Sequence, residues 1–112
     1  MNADTNNTES ATVYILTKAV QRKTPLFSLG AVVATLAVLE HFDKHAINAQ
    51  EYLDRHVRGD WGDVPPEDAK ENDLSVNQGF RVLSSYVIAG ERVWIITEAD
   101  RTVSTLLFPR EY

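Results

Sequence analysis

A chain of 112 residues, 44% hydrophobic and without a long apolar run, can build one domain with a modest core of its own. It has no cysteine, which excludes a disulfide framework and any thiolate-ligated metal centre. A net charge of −5 and a pI near 5.1 argue against broad electrostatic binding to nucleic acid, while leaving room for a small local basic site.

Met1 to Ala11 is polar and reads as a disordered tail, so the expected organisation is a tail over 1–11 and a single α+β domain over 12–112. No signal segment opens the sequence, and nothing approaches the roughly 20 apolar residues of a membrane span. The expectation is a cytoplasmic protein with no membrane contact. Thr12 to Val20 suits a strand or a short helix equally well. Pro25 ends that pattern. Leu26 to Ala34, with Gly30 inside it, reads as an extended run packed on the core.

Thr35 can cap a helix whose apolar positions Leu36, Leu39, Phe42 and Ala46 keep helical spacing. Within it His41 and His45 stand at i, i+4, but the glutamate of the HExxH pattern is absent, so the pair reads as a helix face and not as a metal site. Asn48 to Glu51 forms a capping-box pattern with Ile47 and Tyr52 as its staple, predicting a second helix to Val57 or Arg58, stopped by Gly59. Arg55 to Asp63, RHVRGDWGD, then places an imidazole, two arginines, an indole and two carboxylates around that helix end. Trp61, a lone indole between glycines, is expected to be buried and to pin the loop to the sheet. Pro66 opens a short acidic helix, EDAKENDL, which reads as a solvated face.

Phe80 to Phe108 is rich in β-branched and aromatic residues and reads as three antiparallel strands. Gly90-Glu91 suits a two-residue type II′ hairpin, and Ala99 to Arg101 a three-residue loop. That pairing sets Tyr86 opposite Ile95 and Ile95 opposite Thr105, with Ser84 and Thr97 beside them on the same face. Neither face is wholly polar. Helices are expected over one face, and the chain or a second copy over part of the other. The fold class is therefore α+β: N-terminal helices packed on a C-terminal antiparallel meander of three or more strands.

Several stretches carry a resemblance: Leu29-Gly30 with Val32 to Thr35, His56 with Gly59 to Asp63, Asp68, Asn72, Gly79, Arg81, Ser85-Tyr86, Trp94 to Arg101, Thr105, and Pro109 with Glu111-Tyr112. In this order they resemble a family of small uncharacterised, plasmid-related proteins carried on bacterial plasmids and integrative elements. The likeness covers roughly Leu26 to Tyr112, with HxxGDWG and WIITEADR its most specific parts. Leu36-Ala37 departs from the Pro-Gly frequent in that family, and Ser104-Thr105 from its frequent Thr-Thr. The resemblance implies a mobile-element setting and supplies no reaction. At the level of fold alone, helices followed by an antiparallel sheet are also similar to the barnase–EndoU–colicin–RelE ribonucleases.

Three functions compete. The first is a non-catalytic binder of a host or plasmid protein, including a defence component, which suits the acidic charge; Asp60, Trp61, Asp63 and Trp94 would contact the partner. The second is a metal-independent ribonuclease, with RNA as substrate. There His56 would be the acid or base, Arg81 or Arg101 the phosphate clamp, and Tyr86 and Thr105 the hydroxyl donors. The third is an oligomerising module, with Trp94, Val87 and Leu106 at a two-fold interface through the sheet. None calls for a cofactor. His56 separates them: as a structural residue it should bond Asp60, Asp63 or a backbone carbonyl, and as a catalyst it should face the Tyr86–Thr105 row with one nitrogen open.

Overall fold

The computed structural model describes residues 24–112. The tail expected over 1–11 and the segment Thr12 to Val20 lie outside them. Thr24 to Gly30 leads into strand β1 (Ala31–Ala34), shorter than the extended run predicted from Leu26. Gly30 has φ +66, and a Cβ there would strike the Thr102 carbonyl, so glycine lets β1 draw alongside the sheet.

Helix α1 (Leu36–Lys44) starts where the Thr35 hydroxyl accepts the Val38 N–H at 3.3 Å, and it buries Val38 and Phe42 at i, i+4 spacing. Helix α2 (Ala49–Val57) is capped by the Asn48 side chain, which accepts the Gln50 N–H at 3.0 Å. The helix is thus capped without the predicted reciprocal box, because the Asn48 side chain takes the Gln50 N–H and the Glu51 N–H turns to the Asn48 backbone carbonyl. Ile47 and Tyr52 pack against the core as the staple requires. Gly59 takes φ +86 beyond the end of α2. Helix α3 (Pro66–Gln78) has proline in its first turn and runs past the acidic stretch to Gly79.

Strands β2 (Val82–Ile88), β3 (Glu91–Thr97) and β4 (Val103–Leu107) form the predicted antiparallel meander. β1 joins it parallel to β4, giving the order β1-β4-β3-β2. The protein is α+β, with a four-stranded mixed sheet in place of a pure meander.

Both hairpins turn differently from the prediction. The first loop is Ala89-Gly90, with φ +48 and +82, so Ile88 pairs with Glu91 and Tyr86 with Val93. Two successive positive φ values describe a type I′ turn, which matches strand twist as type II′ does. The register moves by two residues, and every side chain stays on its predicted face. The second loop matters more. The Glu98 N–H bonds the Val103 carbonyl, so the loop has four residues, Ala99 to Thr102, and Ile96 pairs with Thr105. Asp100 holds the Thr102 N–H at 3.1 Å and its hydroxyl at 2.6 Å, while Arg101 takes φ +60. This one-residue slip turns β4 over. Ser104, Leu106 and Phe108 join the helix-covered face, and Thr105 leaves the face of Tyr86. The slip is favourable because it buries Leu106 and Phe108 with Val38, Phe42, Leu53, Tyr86, Ile88, Val93 and Ile95. Leu106 is therefore a core residue and unsuited to a two-fold interface.

On the other face Tyr112 packs on Trp94, with ring centroids 5.8 Å apart, and the Arg81 guanidinium lies over Tyr112 at 5.4 Å. Glu111 holds this end of the chain: its Oε1 accepts the Phe108 N–H at 2.9 Å and the Thr35 hydroxyl at 2.8 Å.

The outer edge of β2 is covered. Asn72 of α3 donates to the Leu83 carbonyl at 2.7 Å and accepts the Leu83 N–H at 3.1 Å, acting as one residue of an absent strand. Asn72→Ala should cost about 1–3 kcal/mol in denaturant unfolding, the penalty of two part-buried main-chain groups losing their partner. An unchanged midpoint would mean that water already serves them.

Candidate functional site

The GDWGD loop completes the cover of β2. The Ser85 N–H donates to the Trp61 carbonyl at 2.9 Å, and the Asp63 N–H donates to the Ser85 carbonyl at 2.6 Å, forming a short parallel bridge at Gly62. Gly62 has φ +75, and a Cβ there would fall on the Ser85 carbonyl and the Tyr86 ring. Only glycine permits this approach. Trp61 is buried as expected, at 5% exposure. Its ring stacks on Phe27 and meets the edge of His56, and Nε1–H donates to Asp73 of α3 at 3.0 Å. One indole thus ties the loop, α2, α3 and the segment before β1 together.

His56 is fully buried at the end of α2. Its Nδ1 lies 2.5 Å from the Ser84 hydroxyl and its Nε2 2.9 Å from the Thr97 hydroxyl. Thr97 is 2.6 Å from Ser104, whose hydroxyl donates to the Leu29 carbonyl at 2.8 Å. Counting protons orients the chain. Ser104 gives its proton to Leu29, so Thr97 must donate to Ser104 and accept from His56 Nε2–H. Nδ1 of the neutral ring then accepts from Ser84. Burial, with the Arg101 charge adding to it, lowers the His56 pKa to about 3. The expected bonds to Asp60, Asp63 or a backbone carbonyl are not the ones it makes, and neither nitrogen is left open for a substrate.

The loop walls a surface cavity of about 460 Å³ lined by Arg55, Asp60, Gly62, Asp63, Tyr86 and Val87. Arg55 donates to Asp60 at 2.7 Å, and Arg92 donates to Asp63 at 3.0 Å and to Ser85 Oγ at 2.8 Å. The Arg55 hydrogen bond lowers the Asp60 pKa and raises that of Arg55. Both pairs are largely exposed and add little to stability. Tyr86 donates to the Asp60 carbonyl at 2.6 Å beneath the Arg55 guanidinium, and burial pushes its phenol up to about 12. The carboxylates here are each held by an arginine, and the phenol gives its proton to a main-chain carbonyl.

The residues expected to cleave RNA do not converge. His56 is interior, Tyr86 lines the loop cavity, and Thr105 points to the opposite face. Arg81 lies over Tyr112. Arg101 donates to the Phe80, Glu98 and Ser75 carbonyls at 2.6, 3.0 and 3.0 Å, tying the β3–β4 loop to the end of α3. Among the expected binding residues, Asp60 and Asp63 line the loop cavity, whereas Trp61 is buried and Trp94 is half-buried under Tyr112. The structural roles of Asn72, Asp73 and Ser104 carried no local signal, since each depends on a partner distant in sequence.

A second surface lies at the far edge of the sheet. Ala31 and Thr35 direct their N–H groups inward, to Thr102 and Leu106, so the main-chain groups of Val32 and Ala34 point outward. They have no hydrogen-bond partner among the described residues. Val32, Val33, Leu36 and Leu39 are 45%, 46%, 69% and 54% exposed on β1 and the start of α1.

Among the described residues no group of three or more His, Asp or Glu is placed to hold a metal ion, and no helix is long and apolar enough to cross a membrane. No protein-family model, curated protein or solved structure matches the chain.

Proposed function

We propose that the protein acts by binding another protein, without catalysis, through β1 and the start of α1. The observation that carries this reading is the contrast between the two edges of the sheet. Asn72 and the GDWGD loop cover β2, whereas among the described residues β1 offers unpaired main-chain groups with no charge, proline or bulge in Ala31–Ala34. Such an edge is a template for strand addition, and the exposed valines and leucines beside it supply apolar contact for alternate side chains of an extended segment. The partner is then a protein with an apolar, β-prone segment. The resemblance to plasmid-related proteins supports a host or plasmid protein, a defence component included, as that partner. Support for binding over RNA cleavage comes from the dispersal of His56, Arg81, Tyr86, Arg101 and Thr105.

The test is a double substitution, Val32→Lys with Leu36→Glu, at two exposed positions where the change in stability should stay within about 0.5–1 kcal/mol. Affinity capture followed by mass spectrometry should recover a partner with the wild type and lose it with the variant. Capture unaffected by the two charges, or metal-free cleavage of a mixed-sequence RNA by the purified protein, would overturn the proposal.

A further inference from the structure

Away from both surfaces, a cleft of about 200 Å³ opens between α3 and the start of β2, lined by Asp68, Glu71, Asn72, Ser75, Arg81 and Leu83. Asn72 is engaged with the Leu83 main chain. The other polar groups are not paired with one another. Asp68 and Glu71 have no side-chain hydrogen bond or ion pair among the described residues, where the ion pairs are Arg55–Asp60 and Arg92–Asp63. The Arg81 guanidinium lies over the Tyr112 ring and makes no hydrogen bond or ion pair among the described residues. Ser75 is 7% exposed, yet its hydroxyl has no partner among the described residues. Ser75 therefore brings an unpaired hydroxyl to the wall of the cleft, free to bond an occupant.

Two carboxylates and one guanidinium therefore line the same small space without closing on each other. A ligand carrying both charges would satisfy all of them at once. The volume equals that of six or seven waters at about 30 Å³ each, which suits a molecule of amino-acid size. Asp68, Glu71 and Ser75 lie at i, i+3 and i+7 on one face of α3, with Arg81 and Leu83 contributed by the chain entering β2. We propose that this cleft binds a free α-amino acid, its ammonium group held by Asp68, Glu71 and the Ser75 hydroxyl and its carboxylate by Arg81. Leu83, the sole apolar wall, restricts the ligand to a small side chain. A bare divalent cation fits less well, because Arg81 would share its site.

The experiment is a ¹H–¹⁵N correlation titration of the full chain with glycine, alanine, serine, valine and leucine in turn, to millimolar concentration. Saturable shifts are expected at Ser75, Arg81 and Leu83, with one of these amino acids. Its N-acetyl and carboxamide forms, each lacking one charge, should bind at least about tenfold more weakly, since a charged hydrogen bond contributes about 1.5–3 kcal/mol. Glu71→Gln and Arg81→Gln should weaken binding by a similar factor while leaving distant resonances in place. Absence of saturable shifts with all five, equal binding of the blocked forms, or the same shifts with magnesium chloride alone would overturn the assignment.

Discussion

Lowering the pH from 7 to 3 is expected to remove about 4 kcal/mol of folding stability through His56 alone. Its pKa falls from 6.5 to about 3 on folding, and each unit corresponds to about 1.36 kcal/mol. In the unfolded chain the imidazole takes up a proton below pH 6.5, whereas in the fold it stays neutral. The contribution is therefore complete above pH 6.5 and is lost as the pH falls toward 3. Ser84 could turn to accept a bond from a protonated ring, so the penalty comes from burying the charge, with Arg101 opposing it, and not from a lost hydrogen bond. Asp60, Asp100 and Glu111 also have lowered pKa values, but their contributions fade only below about pH 4, where free carboxylates protonate. Urea unfolding between pH 6.5 and 5 reads this contribution above the carboxylate range. The slope from His56 is expected to steepen from about 0.7 to about 1.3 kcal/mol per pH unit across that window. A flat profile would mean that the folded ring accepts a proton as readily as the unfolded one.

Trp61→Ala should cost about 3–5 kcal/mol, as for other buried large aromatics. The ring is 5% exposed, fills the space between Phe27 and His56, and anchors the residue whose carbonyl covers Ser85 on the β2 edge. Losing it opens a cavity beside the His56 network and leaves Asp73 without its indole partner. For a domain of this size the melting temperature should drop by about 4–8 °C per kcal/mol. Trp61→Phe keeps most of the packing and removes the Nε1–H bond, so it should recover more than half of the loss. Thermal and denaturant unfolding of both variants decide the point. A near-neutral Trp61→Ala would show that the ring lies in solvent.

Local chemistry in the chain was enough for much of the architecture. Thr35 and Asn48 as caps, Gly59 beyond a helix end, Pro66 at a helix start and the β-rich stretch from Phe80 to Phe108 each act within a few residues. Their consequences could be read directly. The same holds for burial of Trp61, which follows from the cost of leaving an indole wet between glycines.

The candidate sites depended on long-range choices. Whether the β3–β4 loop has three residues or four is nearly balanced locally, since Asp100 and Arg101 serve either turn. The outcome is decided by the apolar area gained when Leu106 and Phe108 face α1. That decision separates Thr105 from Tyr86 and brings Ser104 to Thr97, which fills the second nitrogen of His56. The parallel seat of β1 on β4 is likewise invisible in the sequence, because it pairs segments some 70 residues apart. What the sequence determined by itself was the set of helices and strands and where most of them end, because caps, turns and periodicity are local. Register, the covered and uncovered edges, and which polar groups meet were decided only in the tertiary structure, because burial of the whole core selects among pairings that local chemistry leaves nearly equal in energy.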